Sequence, residues 1–307
     1  INFSDVNDRL EEGAFTQALI YVARDSVPKL YFLTGHDEPS LASMSELTAR
    51  LQEEAYVVEE FAMNVLDPQV PSDCSVLVIN GPKGDLQLPE VKAIQAYLER
   101  GGRMLVLLEP WRILSRGVEH FLPMLRQEYG IDVGTDIILS RAQSTQEMVL
   151  VVFTPDFGML GISAPNIPRR GSYNESHLIT RGFDQNMVFS LARSVNLEPE
   201  LPEGVAGETL LYTLPGTWAE TSLNQLFEQK QANPDEEDMK GPFGAAAAVT
   251  ASTGVQVADT ERTRDARIVV VGDQDFVSND GIRVVGHWNF LMNSLAWLTE
   301  TEELVGV

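Results

Sequence analysis

Three uninterrupted apolar runs constrain this chain more than any other feature: Ser75–Asn80 (SVLVIN), Arg103–Leu108 (RMLVLL) and Arg267–Gly272 (RIVVVG). Each is strand-length, and each lacks the polar alternation of a strand with one wet face. A strand apolar on both sides must be covered on both sides, which is the signature of a parallel sheet carrying helices on each face. The segments between them fit. Lys29–Thr34 (KLYFLT) reads as a strand running into Gly35, and Tyr56–Phe61 as another. Met44, Leu47, Leu51 and Ala55 follow Ser43 at helical spacing. Val91, Ile94 and Leu98 do the same between Pro89 and Gly101, residue types that suit the first position and the end of a helix. Strand and helix in this alternation predict a mainly parallel, doubly wound α/β sheet.

The rhythm loosens after residue 115. A helix is expected over 117–129, closed by Gly130, and a short helix or turn near 187–193 carrying Val188, Phe189 and Leu191. Residues 228–241 are polar, without apolar anchors, and read as a mobile loop. Gly244–Ala251 (GAAAAVTA) is a strand or a close-packed run of small residues, and 289–299 is a helix. A helix is also expected over 7–25. The simplest division is a sheet domain built from 1–130 and 261–307, with 131–260 an inserted or second subdomain of α+β character.

Composition narrows the function classes. The net charge of -23 over 307 residues repels phosphate backbones, so nucleic acid is excluded as a partner on electrostatic grounds. The single cysteine, Cys74, permits no intrachain disulfide and no thiolate cluster. No apolar run reaches membrane-spanning length.

Ligands of open parallel sheets bind outside the C-terminal strand ends. Three polar loops are expected there: Gly35-His36-Asp37-Glu38, Gly81–Asp85 and Asp273–Asn279. His36 with Glu38 could form an acid/base pair, or could simply close its loop by hydrogen bonding. Asp273 and Asp275 form a DxD at a strand end, a pattern that presents aspartyl nucleophiles or holds metal-bound phosphates elsewhere. No lysine follows it, however, and nothing else in the chain marks a nucleotide site. Asn279 closes the same loop, and Trp111, after Glu109-Pro110, could line the crevice. The phosphate loops GxGxxG and GxxxxGK[ST] and the nucleophile elbow GxSxG are absent. Cys74 precedes its strand, whereas an elbow nucleophile would follow one. His120, His177 and His287 have no metal-binding spacing. No cofactor and no metal are implied.

Several of these segments together resemble one family: Tyr31–Ser40, Val76–Pro82, Ile94–Gly102, Leu105–Pro110, Thr217–Glu220, Gly241-Pro242, Val270–Asn279 and Asn289–Leu298. The chain is similar in these to the gliding-motility-type auxiliary component of ABC transport systems, also described as an uncharacterised ABC-type transport family. That loop usually reads Gly-His-Gly-Glu in the family, and Asp37 departs from it. The resemblance implies a class I glutamine-amidotransferase-like α/β fold without its cysteine nucleophile. It further implies an extracytoplasmic or periplasmic place beside an ABC permease and ATPase, with membrane anchors lying outside this chain. The expected role is non-catalytic binding of a partner protein, a glycan or a transported small molecule through His36, Glu38, Asp273, Asp275, Asn279 and Trp111. The alternative is a metal-assisted hydrolase or transferase using the strand-end acidic loops.

Overall fold

The structure, a computed structural model, describes residues 27–110, 120–140, 149–161, 170–229, 232, 234–256 and 263–300. The helix expected over 7–25 lies outside them. The first half follows the alternation predicted: strand β1 (Lys29–Thr34), helix α1 (Ser45–Glu53), β2 (Val57–Ala62), β3 (Val76–Asn80), α2 (Leu88–Leu98), β4 (Arg103–Leu107) and α3 (Phe121–Tyr129). Short strands follow: β5 (Ile131–Val133), β6 (Ile137–Leu139), β7 (Leu150–Phe153), β8 (Met187–Ser190) and β9 (Val195–Leu197). The chain then forms β10 (Val205–Tyr212), β11 (Trp218–Glu220), β12 (Met239–Lys240), β13 (Gly244–Ala251), β14 (Ala266–Val271) and α4 (Val285–Leu298).

Seven strands form the central sheet in the order β10-β13-β14-β4-β3-β1-β2. From β14 to β2 every pairing is parallel, while β13 and β10 add antiparallel strands at one edge. The chain runs outward from β1 to β2, then returns to the other side of β1 for β3. That reversal places the topological switch point between β1 and β3.

Side-chain alternation sorts the strands into two cores. Leu30, Phe32, Val76, Val78, Leu105, Leu107, Val269 and Val271 face α1 and α4, meeting Leu47, Leu51, Phe290, Leu291 and Leu295. Tyr31, Leu33, Leu77, Ile79, Met104, Val106, Ile268 and Val270 face α2 and α3, meeting Val91, Ile94, Leu98, Phe121 and Leu125. Every residue of β3 is buried. Helices on both faces make the sheet doubly wound. No helix of the described residues is long and apolar enough to cross a membrane.

Three expectations need revision. The segment near 187–193 is a strand: Met187 and Phe189 point inward and Val188 is exposed, an alternation of two, and β8 pairs with β7. Residues 228–241 are not wholly loop, because Met239 and Lys240 pair with Ala219 and Trp218. The anchor there is polar: buried Asp238 accepts hydrogen bonds from the backbone N–H groups of Asp235 (2.9 Å) and Thr221 (3.3 Å). Finally, the central sheet draws β10 and β13 from 131–260, the span expected to form an insertion. The alanines of β13 bury almost completely because neighbours crowd both of its faces, so the run carries little periodic signal.

Gly272, directly after β14, shows how tightly this edge is closed. A Cβ there would lie 2.1 Å from the Arg193 carbonyl oxygen, and the Arg193 N–H donates to the Gly272 carbonyl at 2.7 Å. Gly272→Ala is expected to lower unfolding free energy by about 1–3 kcal/mol in chemical denaturation. Gly84→Ala should cost far less, since a Cβ there would meet nothing nearer than 3.9 Å. Equal effects would contradict this packing.

Candidate functional site at the strand ends

The loops leaving β1, β3, β4 and β14 converge at the carboxyl edge of the sheet, where polar groups accumulate because the strands' apolar runs end there. At the switch point His36 is clamped between two carboxylates. Its Nδ1 lies 3.1 Å from Glu38 Oε1 and its Nε2 2.9 Å from Glu90 Oε2, with the ring 9% exposed. Glu38 also accepts the His36 backbone N–H at 2.7 Å. Glu90 belongs to the first turn of α2 and accepts the Gln87 backbone N–H at 2.8 Å as half of a capping box. The His36 carbonyl in turn accepts from Lys83 N–H (2.7 Å) and Gly84 N–H (3.1 Å). One histidine therefore joins the β1 loop, the β3 loop and the start of α2.

Pairing with Glu38, and then with Glu90, outweighs partial burial and raises the His36 pKa from 6.5 to about 9. At neutral pH the ring is a cation with both nitrogens engaged, which disqualifies it as a general base. Asp37 adopts φ 61, the left-handed region that glycine favours and aspartate tolerates. A glycine is thus the comfortable residue at this turn, and Asp37 keeps the turn without it.

A second network spans β4 and β14. Asp273 is fully buried, and its two oxygens accept Ser190 N–H (2.9 Å) and Phe276 N–H (2.8 Å). Glu109 Oε1 accepts Gln274 N–H (2.8 Å) and Asp275 N–H (3.2 Å). Burial, reinforced by Asp275, raises the Glu109 pKa to about 7, and burial with Glu109 beside it raises Asp273 well above the carboxylate range. Asp275 itself is exposed, and partial burial of its carboxyl raises its pKa. Behind them lies Arg193, 2% exposed, donating to the carbonyls of Gly134 (2.7 Å from Nε) and Glu109 (3.3 Å). Burial lowers its pKa to about 10, so it stays charged at neutral pH.

Asn279 is not free to bind a ligand. Its Oδ1 accepts Glu46 N–H at 2.9 Å and its Nδ2 donates to the Ser43 carbonyl at 3.0 Å, so it caps α1 from across the chain. The helix has no side-chain cap of its own. Trp111 lies outside the described residues.

The predicted residues therefore fall into separate constructions: His36 and Glu38 with Glu90, Asp273 and Asp275 with Glu109, Asn279 with α1. No group of three His, Cys, Asp or Glu residues among the described ones is arranged to hold a metal ion. Sequence reasoning missed Glu90, Glu109 and Arg193 as members of the site. Glu90 had a visible signal, standing three residues after Gln87 at a helix start. Arg193 had none, since its burial depends on β5, β6 and β14 closing around it.

Between the networks lies Gly81, the first residue after β3, with φ 59. The chain does not turn directly from β3 into α2 there, since α2 begins only at Leu88. Gly81 has no side chain, and the space a Cβ would take is filled by Gln274, whose Oε1 would lie 2.7 Å away.

The family described as an ABC-type uncharacterized transport system matches residues 27–294, nearly the whole described chain. The chain belongs to that family. Members are auxiliary components of ABC-type transport systems. No curated protein sequence matches the chain. Among solved structures, the mmIFT52 N-terminal domain superposes with a TM-score of 0.56 at 13% identity, covering 88% of this chain and 97% of that one. A putative ThuA-like protein from Bacteroides uniformis gives 0.47 at 14% identity, with 90% and 93% covered. A second, from Parabacteroides merdae, gives 0.44 at 10%, with 90% of each covered. The first of these shares the fold.

The two networks predict opposite ends of one pH profile. Pairing raises the folded His36 pKa, so its contribution is complete below 6.5 and is lost as pH climbs through about 9. That loss is on the order of 3 kcal/mol. Glu109 is an acid raised from 4.5 to about 7, so it penalises the folded state progressively as pH rises across that lower window. Denaturation midpoints measured from pH 4 to 10 should flatten above 6.5 in His36→Gln, and between 4.5 and 7 in Glu109→Gln. Variant profiles parallel to the parent would contradict both assignments.

Proposed function

We propose that this domain is the non-catalytic, extracytoplasmic part of an ABC-transport auxiliary subunit, docking a partner protein through the carboxyl edge of its sheet. The observation that carries the reading is internal consumption of the edge's polar groups. Both nitrogens of His36, both oxygens of Asp273 and both amide atoms of Asn279 bond within the chain. Gly81, at the end of β3, has its side-chain space occupied by Gln274. Such an edge has little chemistry left to offer a substrate, but its loops are held rigidly, and a preorganised surface loses less entropy on docking.

The finer features of this reading rest on the resemblance of residues 31–40, 76–82 and 270–279 to the gliding-motility-type component. These are the glutamine-amidotransferase-like character of the sheet, the extracytoplasmic location, and the place beside an ABC permease and ATPase. The permease is the partner best placed for an extracytoplasmic surface. The hydrolase or transferase alternative would need His36, Glu38, Asp273 and Asp275 to act on one target. The side chains of His36 and Glu38 are engaged with each other and with Glu90, and both oxygens of Asp273 accept backbone N–H groups.

Photocrosslinking in cells expressing the complete transport system tests the reading. A crosslinker at exposed Asp37 or Asp275 should trap the permease, whereas one at Lys92, on the outer face of α2, should not. Trapping from Lys92 alone would overturn the edge as the docking surface. Turnover of a defined substrate by the purified domain, abolished in Asp273→Ala, would overturn the non-catalytic role.

A further inference from the structure

The loop that leaves β2 carries an apolar tip that neither core uses. It runs from Met63 to Val70, and both of these ends are buried in the core beneath α2 and α3. Between them Val65 and Leu66 stand 87% and 93% exposed, the two most exposed large hydrophobic side chains among the described residues. The loop thus sinks one apolar residue at each end and turns two more to water.

Local bonds, rather than packing, hold the tip. Asn64 Oδ1 accepts the Leu66 backbone N–H at 2.9 Å, an Asx turn. Gln69 Nε2 donates to both Asp67 oxygens, at 3.1 and 3.0 Å, and Pro68 between them has its φ fixed by its ring. Single exposed aliphatic residues are ordinary on a protein surface. Two adjacent ones, almost fully exposed on a turn already fixed in shape, are an anchor that docking need not order further.

Placement and charge say what such an anchor would meet. β1 and β2 pair in parallel and end with Thr34 opposite Ala62, so the tip leaves the sheet at the same edge as His36 and Asp37. Exposed carboxylates flank it in the chain, Glu59 and Glu60 before it and Asp67 directly after, with exposed Asp37 on the neighbouring loop. Arg50 is the only arginine or lysine from Gly35 to Asp73, and it is turned onto the Trp288 ring and the Ile282 carbonyl.

We propose that Val65 and Leu66 are the apolar anchor of the docking edge, seated in an apolar pocket of the partner protein whose rim carries lysine or arginine. This rests on the edge-docking reading above and gives that partner its chemistry. A bilayer is the poorer occupant, because apolar residues that enter membrane surfaces are surrounded by lysine and arginine, the opposite of the charge here.

The test adds the purified chain to membranes carrying the complete transport system, and to protein-free vesicles of the same lipids. Saturable binding to the first alone is expected, weakening as salt rises. Leu66→Asp should weaken it at least tenfold and Leu66→Met by about twofold or less. Leu66 is almost fully exposed, so both variants should keep the parent's denaturation midpoint. Equal binding to the vesicles would make the tip a membrane contact and overturn the pocket. No saturable binding, or an unaffected Leu66→Asp, would overturn the anchor, and binding indifferent to salt would overturn the basic rim. In cells, a photocrosslinking residue in place of Val65 should trap the permease, and Leu66→Asp should abolish trapping from Asp37. Trapping from Asp37 that survives Leu66→Asp removes the anchor and leaves the edge reading. Trapping from Val65 with none from Asp37 or Asp275 keeps the anchor and removes that reading.

Discussion

Burial of β3, β4 and β14 on both faces is the constraint from which the rest of this structure follows. Strands with no wet face need a helix layer above and below, and the connections needed to supply those layers make the strands parallel. Parallel strands send all their loops of one kind to one edge. That edge must then absorb every polar group the apolar runs exclude, and with few water-facing positions the groups satisfy one another. The His36-Glu38-Glu90 clamp, the Asp273-Glu109 network and the Asn279 cap on α1 are three solutions to that one problem.

The same constraint explains the charges. The chain carries 45 acidic against 22 basic residues, so a buried carboxylate has few cations to pair with. Asp273 is served by backbone N–H groups, and Glu109 is pushed towards its neutral form. Arg193 is the exception, a buried cation solvated by carbonyls and placed behind the acidic loop, where its field lowers the cost of Glu109 and Asp136. A domain arranged in this way spends its edge chemistry on holding its own loops, which is why family membership and a non-catalytic reading agree with the geometry.

Much of the sheet was legible because burial on both faces writes itself into sequence as unbroken apolar runs, and β1, β3, β4 and β14 were placed to within a residue or two. The strands that escaped were those with weak periodicity. Met187–Ser190 is short enough to be read as helix, Met239–Lys240 is held by the buried carboxylate of Asp238, and the alanines of β13 fit either a strand or a close-packed turn. The edge residues were legible as a set but not as a role. His36, Asp273 and Asn279 lie where a ligand site is expected, yet whether a side chain faces a ligand or its own backbone depends on contacts such as Asn279 to Glu46, 233 positions apart. Local spacing carries no trace of such a contact.

The central claim is that the carboxyl edge is closed on itself and rigid, and backbone hydrogen exchange addresses it directly. The N–H groups of Lys83, Gly84, Gln274 and Glu46 all lie in loops or at a helix start, and each is bonded across the edge. The account predicts protection close to that of the central strands β3 and β4, because opening them requires breaking the networks together. Exchange at the rate of ordinary exposed loops would show that the edge opens freely, and would contradict it.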